Sequence, residues 1–329
     1  MTVVAEYLED LQTRDGVGDV LKFSSNGRNL ALKFFTGHGH KTTSEIKKCE
    51  HCRNFKEEYN KCMCLKDVKN VIRIVDTISS EDLVIPGYKS IYPGLVFPFY
   101  KYSFSDIYKE EYFPFWCNEL KFRNLFRNLL KTLGCIHKHG IIHSDIKPPN
   151  ILFNNFDEID EDFVIIDFGN SIFKEEMIDE KDDPLTTSGY ITPEMILAKE
   201  FDETIDVYAL AITMINFLTF KSVFQGFEKR KKETIKIELH ERKNYVKIIE
   251  NLGIVDKLLF DLLVNMLKYD RKERYTVKQC LRHRFFRKRK APKKKEKRML
   301  PPIFPVKKTG RKRKRSEEHI SNKKQKTTF

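Results

Sequence analysis

No stretch of this chain is apolar over the length a bilayer demands. The most apolar run, Ile205 to Phe220, is only about the minimum and carries Asp206 at its start. It reads as a helix buried on all sides, and no membrane association is expected. The opening MTVVAEYLEDLQTRD is acidic and lacks an apolar core run, so a secretory signal is not expected either. An even set of half-cystines is also missing. Seven cysteines, an odd number, argue for free thiols. Four of them fall in Cys49-Glu50-His51-Cys52 and Cys62-Met63-Cys64. That spacing suits a tetrahedral zinc site, but it overlaps a helical pattern in which Cys62 faces inward. Buried, unligated thiols are the favoured reading.

Net positive charge is missing from most of the chain. The formal charge of +14 has a local origin, because residues 287–329 hold 19 Lys/Arg against 3 Asp/Glu. The other 286 residues hold 42 against 44, so their surface is near neutral. A nucleic-acid-binding fold is therefore disfavoured. The segment 288–329 includes Lys293-Lys294-Lys295, Arg311-Lys312-Arg313-Lys314-Arg315 and Lys323-Lys324, with prolines at 301, 302 and 305. Its apolar surface is too small to offset ordering entropy, so a disordered basic tail is expected. Recognition by a nuclear import receptor is the favoured use, and a polyanion-binding arm or a solubilising tail are the alternatives.

Chemistry concentrates in His143-Ser144-Asp145-Ile146-Lys147-Pro148-Pro149-Asn150, followed by Asp167-Phe168-Gly169. An acid, a lysine and two oxygen ligands lie close together, between an amphipathic helical pattern and a run of β-branched residues. Leu125, Phe126, Leu129, Leu133 and Ile136 form the core face of that helix. HSDIKPPN and IIDFGN resemble the catalytic and metal-binding loops of eukaryotic protein kinases, HRDLKxxN and DFG. The resemblance makes Asp145 the acceptor of the substrate hydroxyl proton and Lys147 a neutraliser of the transferred phosphate. It makes Asn150 and Asp167 ligands of the magnesium ions that bridge the ATP phosphates. A lysine two residues after the catalytic aspartate implies serine/threonine specificity; tyrosine kinases usually carry AAR- or RAA-type sequence there. One position departs from the pattern: the arginine before the catalytic aspartate is Ser144. Regulation by a phosphate on the activation segment is then disfavoured, since no fixed cation at that position waits for it.

Leu30-Ala31-Leu32-Lys33 resembles the VAIK strand, which implies that Lys33 meets the α- and β-phosphates and pairs with a helical glutamate. Glu58 is the candidate; Glu57, or Glu45 or Glu50 with an earlier helix start, are alternatives. The glycine-rich loop departs from GxGxxGxV. In Thr13-Arg14-Asp15-Gly16-Val17-Gly18-Asp19-Val20, Thr13 and Asp15 stand where glycines belong. Either Gly16 and Gly18 make a shorter loop or ATP is held less tightly, with Val20 and Ala31 sandwiching the adenine. Ser188-Gly189-Tyr190-Ile191-Thr192-Pro193-Glu194 resembles the GTxGYxAPE close of the activation segment. Glu194 would pair with Arg274 in KERYT, and Asp206 in DVYALAITMINFL would brace the catalytic loop. His283-Arg284-Phe285-Phe286 resembles the HPFF that ends many such domains.

Leu95-Val96-Phe97-Pro98-Phe99-Tyr100 reads as the strand and linker between lobes, with Phe97 as gatekeeper and Phe99 and Tyr100 in the hinge. Proline after the gatekeeper has no N–H to offer adenine. This hinge and HGIIHSDIKPPNILFN resemble the cell-division-control kinase that fires replication origins with a regulatory subunit, whose HGIVHRDVKPSNFLYN-type segment is similar. The long inserts typical of that family are missing; a cyclin-dependent-like or casein-type kinase is the alternative. The expected architecture is an α+β bilobal kinase fold over residues 10–287. A small β-rich N-lobe reaches to about 98, a larger helical C-lobe covers 99–287, and the tail follows. The expected function is ATP- and magnesium-dependent phosphorylation of protein serine or threonine in the nucleus, in cell-cycle or DNA-replication control. A pseudokinase scaffold is the alternative.

Overall fold

The computed structural model describes residues 3–4, 6–11, 20–35, 50–78, 83–84, 94–108, 119–176, 189–219, 223–224 and 232–287. The glycine-rich loop, residues 177–188 and the basic segment 288–329 lie outside them.

Period-two alternation shapes the N-terminal lobe. Its strands are β1 (Val3–Val4), β2 (Glu6–Leu11), β3 (Val20–Ser25), β4 (Arg28–Phe34), β5 (Asp76–Ile78), β6 (Leu83–Val84) and β7 (Gly94–Pro98). Five form an antiparallel sheet ordered β2-β3-β4-β7-β5, while β1 and β6 pair in parallel. Asn26 and Gly27 both have positive φ, at 50° and 72°, and close the β3–β4 hairpin in two residues. That conformation is what an Asn-Gly pair allows and most residues resist. Leu21, Phe23, Leu32 and Phe34 point to one face and form a small core with Ile78 and Val96. Val20, Lys22, Ala31 and Lys33 therefore share the opposite face.

Helix α1 (Glu50–Cys64) leans on this sheet but packs into the larger core. Glu58, Lys61 and Cys62 are buried in it, with Leu65 buried just past its end, and Glu58, Cys62 and Leu65 are spaced four and three residues apart as one helical face requires. Phe35 meets Phe55 edge-on at 5.4 Å and ties the end of β4 to the helix.

The C-terminal lobe starts with β8 (Tyr102–Ser103) and α2 (Glu119–Lys138). An acid opens α2, and His137 and Lys138 close it, matching the helix dipole. Four short strands follow: β9 (Ile141–Ile142), β10 (Ile151–Phe153), β11 (Phe163–Ile165) and β12 (Ile172–Phe173). They make a three-stranded sheet β11-β10-β8 and the pair β12-β9. The remaining helices are α3 (Pro193–Ile196), α4 (Thr204–Thr219), α5 (Lys232–Lys243), α6 (Tyr245–Asn251), α7 (Lys257–Met266) and α8 (Val277–Arg282).

Every residue of α4 is buried. Its polar groups are met internally: Thr213 and Thr219 donate to the carbonyls of Ala209 and Ile215, both at 2.9 Å. Asp202 holds its start, accepting from the Thr204 amide at 2.9 Å and from Arg271 at 2.9 Å. Glu194 accepts two hydrogen bonds from Arg274, at 2.6 and 2.9 Å, and locks α3 to the loop before α8. Fork-to-carboxylate geometry makes this a strong buried pair. Among the described residues no helix is long and apolar enough to cross a membrane.

Candidate active site

Two backbone devices bring the chemistry-bearing residues together. The β10–β11 hairpin pairs Ile151 with Ile165, and the Ile166 amide donates to the Asn150 carbonyl at 3.0 Å. Asn150 and Asp167 thus sit at the open end of one hairpin, although 17 residues separate them in sequence. The second device is Asp206, fully buried in α4. One of its oxygens accepts from the Ser144 amide at 2.8 Å; the other accepts from the His143 amide at 2.8 Å and lies 2.9 Å from His137 Nε2. This grip holds Ser144 at φ 65°, a left-handed conformation that a serine adopts only when its surroundings enforce it.

Within the loop, the Asp145 carboxylate accepts from Asn150 Nδ2 at 3.1 Å and lies 2.9 Å from Lys147 Nζ. Asn150 Nδ2 also donates to the Asp145 carbonyl at 2.9 Å, which fixes its amide and leaves Oδ1 on the other side. His143 accepts from the Asp145 amide through Nδ1 at 3.2 Å and reaches the Ile166 carbonyl through Nε2 at 3.0 Å. A carbonyl can only accept, so Nε2 carries the proton and the ring is the neutral tautomer in this geometry. Ser171 Oγ donates to the His143 carbonyl at 3.0 Å, joining the segment after Asp167 to the same loop.

Lys33 is the bridge between lobes. Its ammonium lies 2.8 and 3.0 Å from the two oxygens of Glu58, and 2.8 Å from Asp167 Oδ1. Glu58 rather than Glu57 is the partner: Glu57 is exposed, and Glu45 and the side chain of Glu50 lie outside the described residues. Burial pulls the Lys33 ammonium down, but the Asp167 and Glu58 carboxylates outweigh it and hold it well above the ordinary lysine value. Burial works against the Asp167 charge as well, yet Lys33 brings this carboxyl down to about 2. Burial lifts Glu58 above its ordinary value, with Lys33 acting the other way. Asp167 takes φ 68°, which turns its side chain back toward Lys33. Gly169 leaves room for the same cluster. A Cβ there would lie 3.1 Å from Glu58 Oε2 and 3.4 Å from Asp167 Oδ1.

The adenine-side residues share one surface. Val20 pairs with Lys33, and Ala31 with both Lys22 and Phe97, so Val20, Ala31 and Lys33 line the sheet face opposite the small core. Phe97 is buried, and Pro98 ends β7. The Phe99 amide donates to the Asn29 carbonyl at 3.3 Å, and its ring lies 4.4 Å beneath Lys22 Nζ. Phe99 therefore spends its N–H on β4 and offers the cleft no donor there. Ladder alternation turns the Pro98 carbonyl away from β4, where it can accept. Gly16 and Gly18 lie outside the described residues.

Among the described residues, the thiols of Cys62 and Cys64 lie in different surroundings. Cys62 is buried beneath Glu58, and burial pushes its thiol well above its ordinary value. Cys64 is exposed, 4.0 Å from the His139 carbonyl. Cys49 and the side chain of Cys52 lie outside the described residues. Among the described residues, no group of three His, Cys, Asp or Glu could hold a metal ion.

Sequence reasoning missed the direct Lys33–Asp167 contact and the Ser171 tie. It also missed Asn70, whose amide clips the carbonyls of Glu161 and Phe163 at 2.9 and 2.7 Å. No motif marks Asn70; its positive φ of 64° is visible only in three dimensions.

A β-rich lobe over a helical lobe, with a lysine–glutamate pair above an aspartate–asparagine loop, defines the bilobal phosphotransferase class. The match to the model of the protein kinase domain covers residues 16–286. The chain belongs to the protein kinase family. It is 28% identical over 257 residues to mitogen-activated protein kinase 12 of Homo sapiens, covering 70% of this chain and 66% of that protein. It is 27% identical over 171 residues to ribosomal protein S6 kinase alpha-6 of Mus musculus, covering 50% and 22%. With calcium-dependent protein kinase 19 of Arabidopsis thaliana it shares 30% identity over 173 residues, covering 50% and 28%. The chain spans just under two thirds of the first of these relatives and less of the others.

Proposed function

We propose that this chain transfers the γ-phosphoryl group of ATP to serine or threonine hydroxyls of protein substrates. One observation carries the reading: Lys33, Glu58 and Asp167 form one bonded cluster and Asp145, Lys147 and Asn150 a second, joined by the Ile166 amide bond to the Asn150 carbonyl. The site suits magnesium held through phosphates. A carboxylate on Asp167 and an amide oxygen on Asn150 are hard oxygen donors, and magnesium takes one or two of these beside phosphate oxygens. When bound, the ion supplies neutralisation of charge on the phosphates. The protein's own groups do the rest. Lys33, released in part from Asp167, faces the α- and β-phosphates while Glu58 keeps it in place. Asp145 takes the proton of the attacking hydroxyl, and Lys147 places positive charge beside the transferred group. Val20 and Ala31 provide the apolar surface for the base, with Gly16 and Gly18 assigned to the loop above the phosphates.

Serine/threonine preference rests on Lys147, two residues after Asp145. The complete charged set leaves a pseudokinase scaffold supported only by the irregular stretch 13–20. We assign residues 10–287 to the kinase domain and the basic segment 288–329 to nuclear import. A nuclear role in replication-origin firing is supported by the Pro98 hinge and the HGIIHSDIKPPNILFN segment, and dependence on a regulatory subunit by Ser144. Ser144 is buried, its Oγ has no hydrogen-bond partner among the described residues, and it brings no cation to the activation segment. The small-lobe helix would then be set by a bound subunit rather than by phosphorylation.

The experiment is phosphotransfer by bacterially expressed, phosphatase-treated chain, with and without a candidate regulatory subunit, against Asp145→Asn. The wild type should act when the subunit is added, and the variant should not. Equal rates from both proteins would remove Asp145 from the chemistry. Full activity of the dephosphorylated chain alone would remove the subunit.

A further inference from the structure

Arg242 is the largest fully buried side chain described, with 0% of its surface exposed, in a residue type that is almost never buried unpaired. It sits near the end of α5. Its Nε donates to the Ile191 carbonyl at 3.1 Å, and its Nη1 to the Glu238 carbonyl at 3.4 Å. Nη1 is also 3.9 Å from Glu241 Oε2, while Nη2 has no hydrogen-bond partner among the described residues. The guanidinium lies 4.5 Å from the centre of the Phe224 ring.

Phe224 in turn stacks on Tyr208 of α4, with centroids 6.2 Å apart and planes within 6°. Arg274 lies 4.9 Å over Tyr208 and holds Glu194 with its other edge. Two aromatic rings are thus layered between two guanidiniums. One guanidinium grips Ile191 and the other grips Glu194, so the turn into α3 is fastened on both sides of its Thr192 cap. Between these grips, Thr192 caps α3, and the Ile191 side chain is buried with Ile142, Met195, Ile196 and Ile205. Tyr190, immediately before, accepts from Asn216 Nδ2 at 3.0 Å. Asp145 and Lys147 are near enough to act on its phenol.

We infer that Arg242 is a positioning residue that fixes the 189–192 backbone as the platform on which the substrate peptide lies beside Asp145. The inference rests on the kinase reading above. A buried guanidinium with an unused donor is a poor source of stability, and a well-packed apolar residue of similar volume is commonly as good. What such a residue could not do is hold the Ile191 peptide plane by a charge-assisted hydrogen bond. Arg242 touches neither ATP nor the hydroxyl, so its effect belongs to peptide binding and not to the chemical step.

The test uses full-length chain, Arg242→Met and Arg242→Lys, each with the candidate regulatory subunit added, with magnesium-ATP and a degenerate mixture of serine/threonine peptides. Arg242→Met should raise KM for peptide about tenfold, leaving kcat and KM for ATP within about twofold. Arg242→Lys keeps a cation and one donor, and should fall between. Amide exchange, read without any turnover, should quicken across 189–197 in Arg242→Met and stay unchanged in α4 and in 143–150. Unchanged exchange at 189–197 overturns the inference. So does an equal increase everywhere, which would mark Arg242 as a general stability residue. If wild-type chain phosphorylates none of the peptides, the kinase reading fails, and exchange alone still decides the part played by Arg242.

Discussion

At the scale of single residues, the site depends on how closely three charges are allowed to approach. Lys33 serves two carboxylates at once, and Gly169 leaves room for both. Gly169→Ala would place a methyl carbon 3.1 Å from a Glu58 oxygen pinned by Lys33, so the pair must shift. Overpacking of this kind costs about 1–3 kcal/mol. We expect a loss of kcat of about tenfold or more, with a much smaller change in the thermal midpoint. Measured kcat equal to wild type would show that Glu58 can retreat without consequence. Much of this site is legible in the sequence, because Asp145, Lys147, Asn150 and Asp167 fall in two short runs whose order carries the pattern. Lys33 and Glu58 are less so: four glutamates compete, and only the burial of one helical face selects Glu58. The Phe99 amide was not legible at all, since its partner Asn29 belongs to a neighbouring strand.

At the scale of elements, helix starts and hairpin ends do the positioning. The VAIK-like run Leu30-Ala31-Leu32-Lys33 and the apolar run of α4 forecast their elements directly. The short strands β9 to β12 carry no such signal, because two or three residues cannot show a period. Asp202 shows how an element's start responds to pH. Burial works against its charge, but hydrogen bonds from Thr204 and the Arg271 guanidinium prevail and hold its carboxyl below the ordinary value of 3.8. A carboxyl depressed on folding adds stability above its unfolded pKa and gives it up as pH falls toward the folded one. Asp202→Asn should therefore be less stable than wild type at neutral pH, and the difference should shrink below 3.8. Denaturant unfolding of both proteins across that range is the measurement. A difference independent of pH would assign the effect to lost hydrogen-bond geometry alone.

At the scale of the whole molecule, charge and core are both unevenly shared. Residues 287–329, beyond the last kinase motif, hold 19 Lys/Arg against 3 Asp/Glu, while the rest of the chain holds 42 against 44. Removing residues 288–329 should leave peptide phosphorylation nearly unchanged and reduce nuclear accumulation of a fluorescent fusion. A truncated protein that still concentrates in the nucleus would transfer import to a carrier. The core is divided in a different way. Helix α1, Phe97 and most of the C-terminal lobe contribute to one continuous cluster, while among the described residues the outer face of the five-stranded sheet buries Leu21, Phe23, Leu32, Phe34, Ile78 and Val96. Cooperative units of unequal size open at unequal cost. The sheet's hairpins should therefore exchange their amide protons through partial openings that leave α1 and α4 closed. Hydrogen exchange would separate the two classes, and a single common opening energy would refute the division. The phosphate-side lysine stands on the weaker unit and its glutamate on the stronger one. Nucleotide binding would then act as a splint, raising the protection of β3 and β4 toward that of the helical lobe.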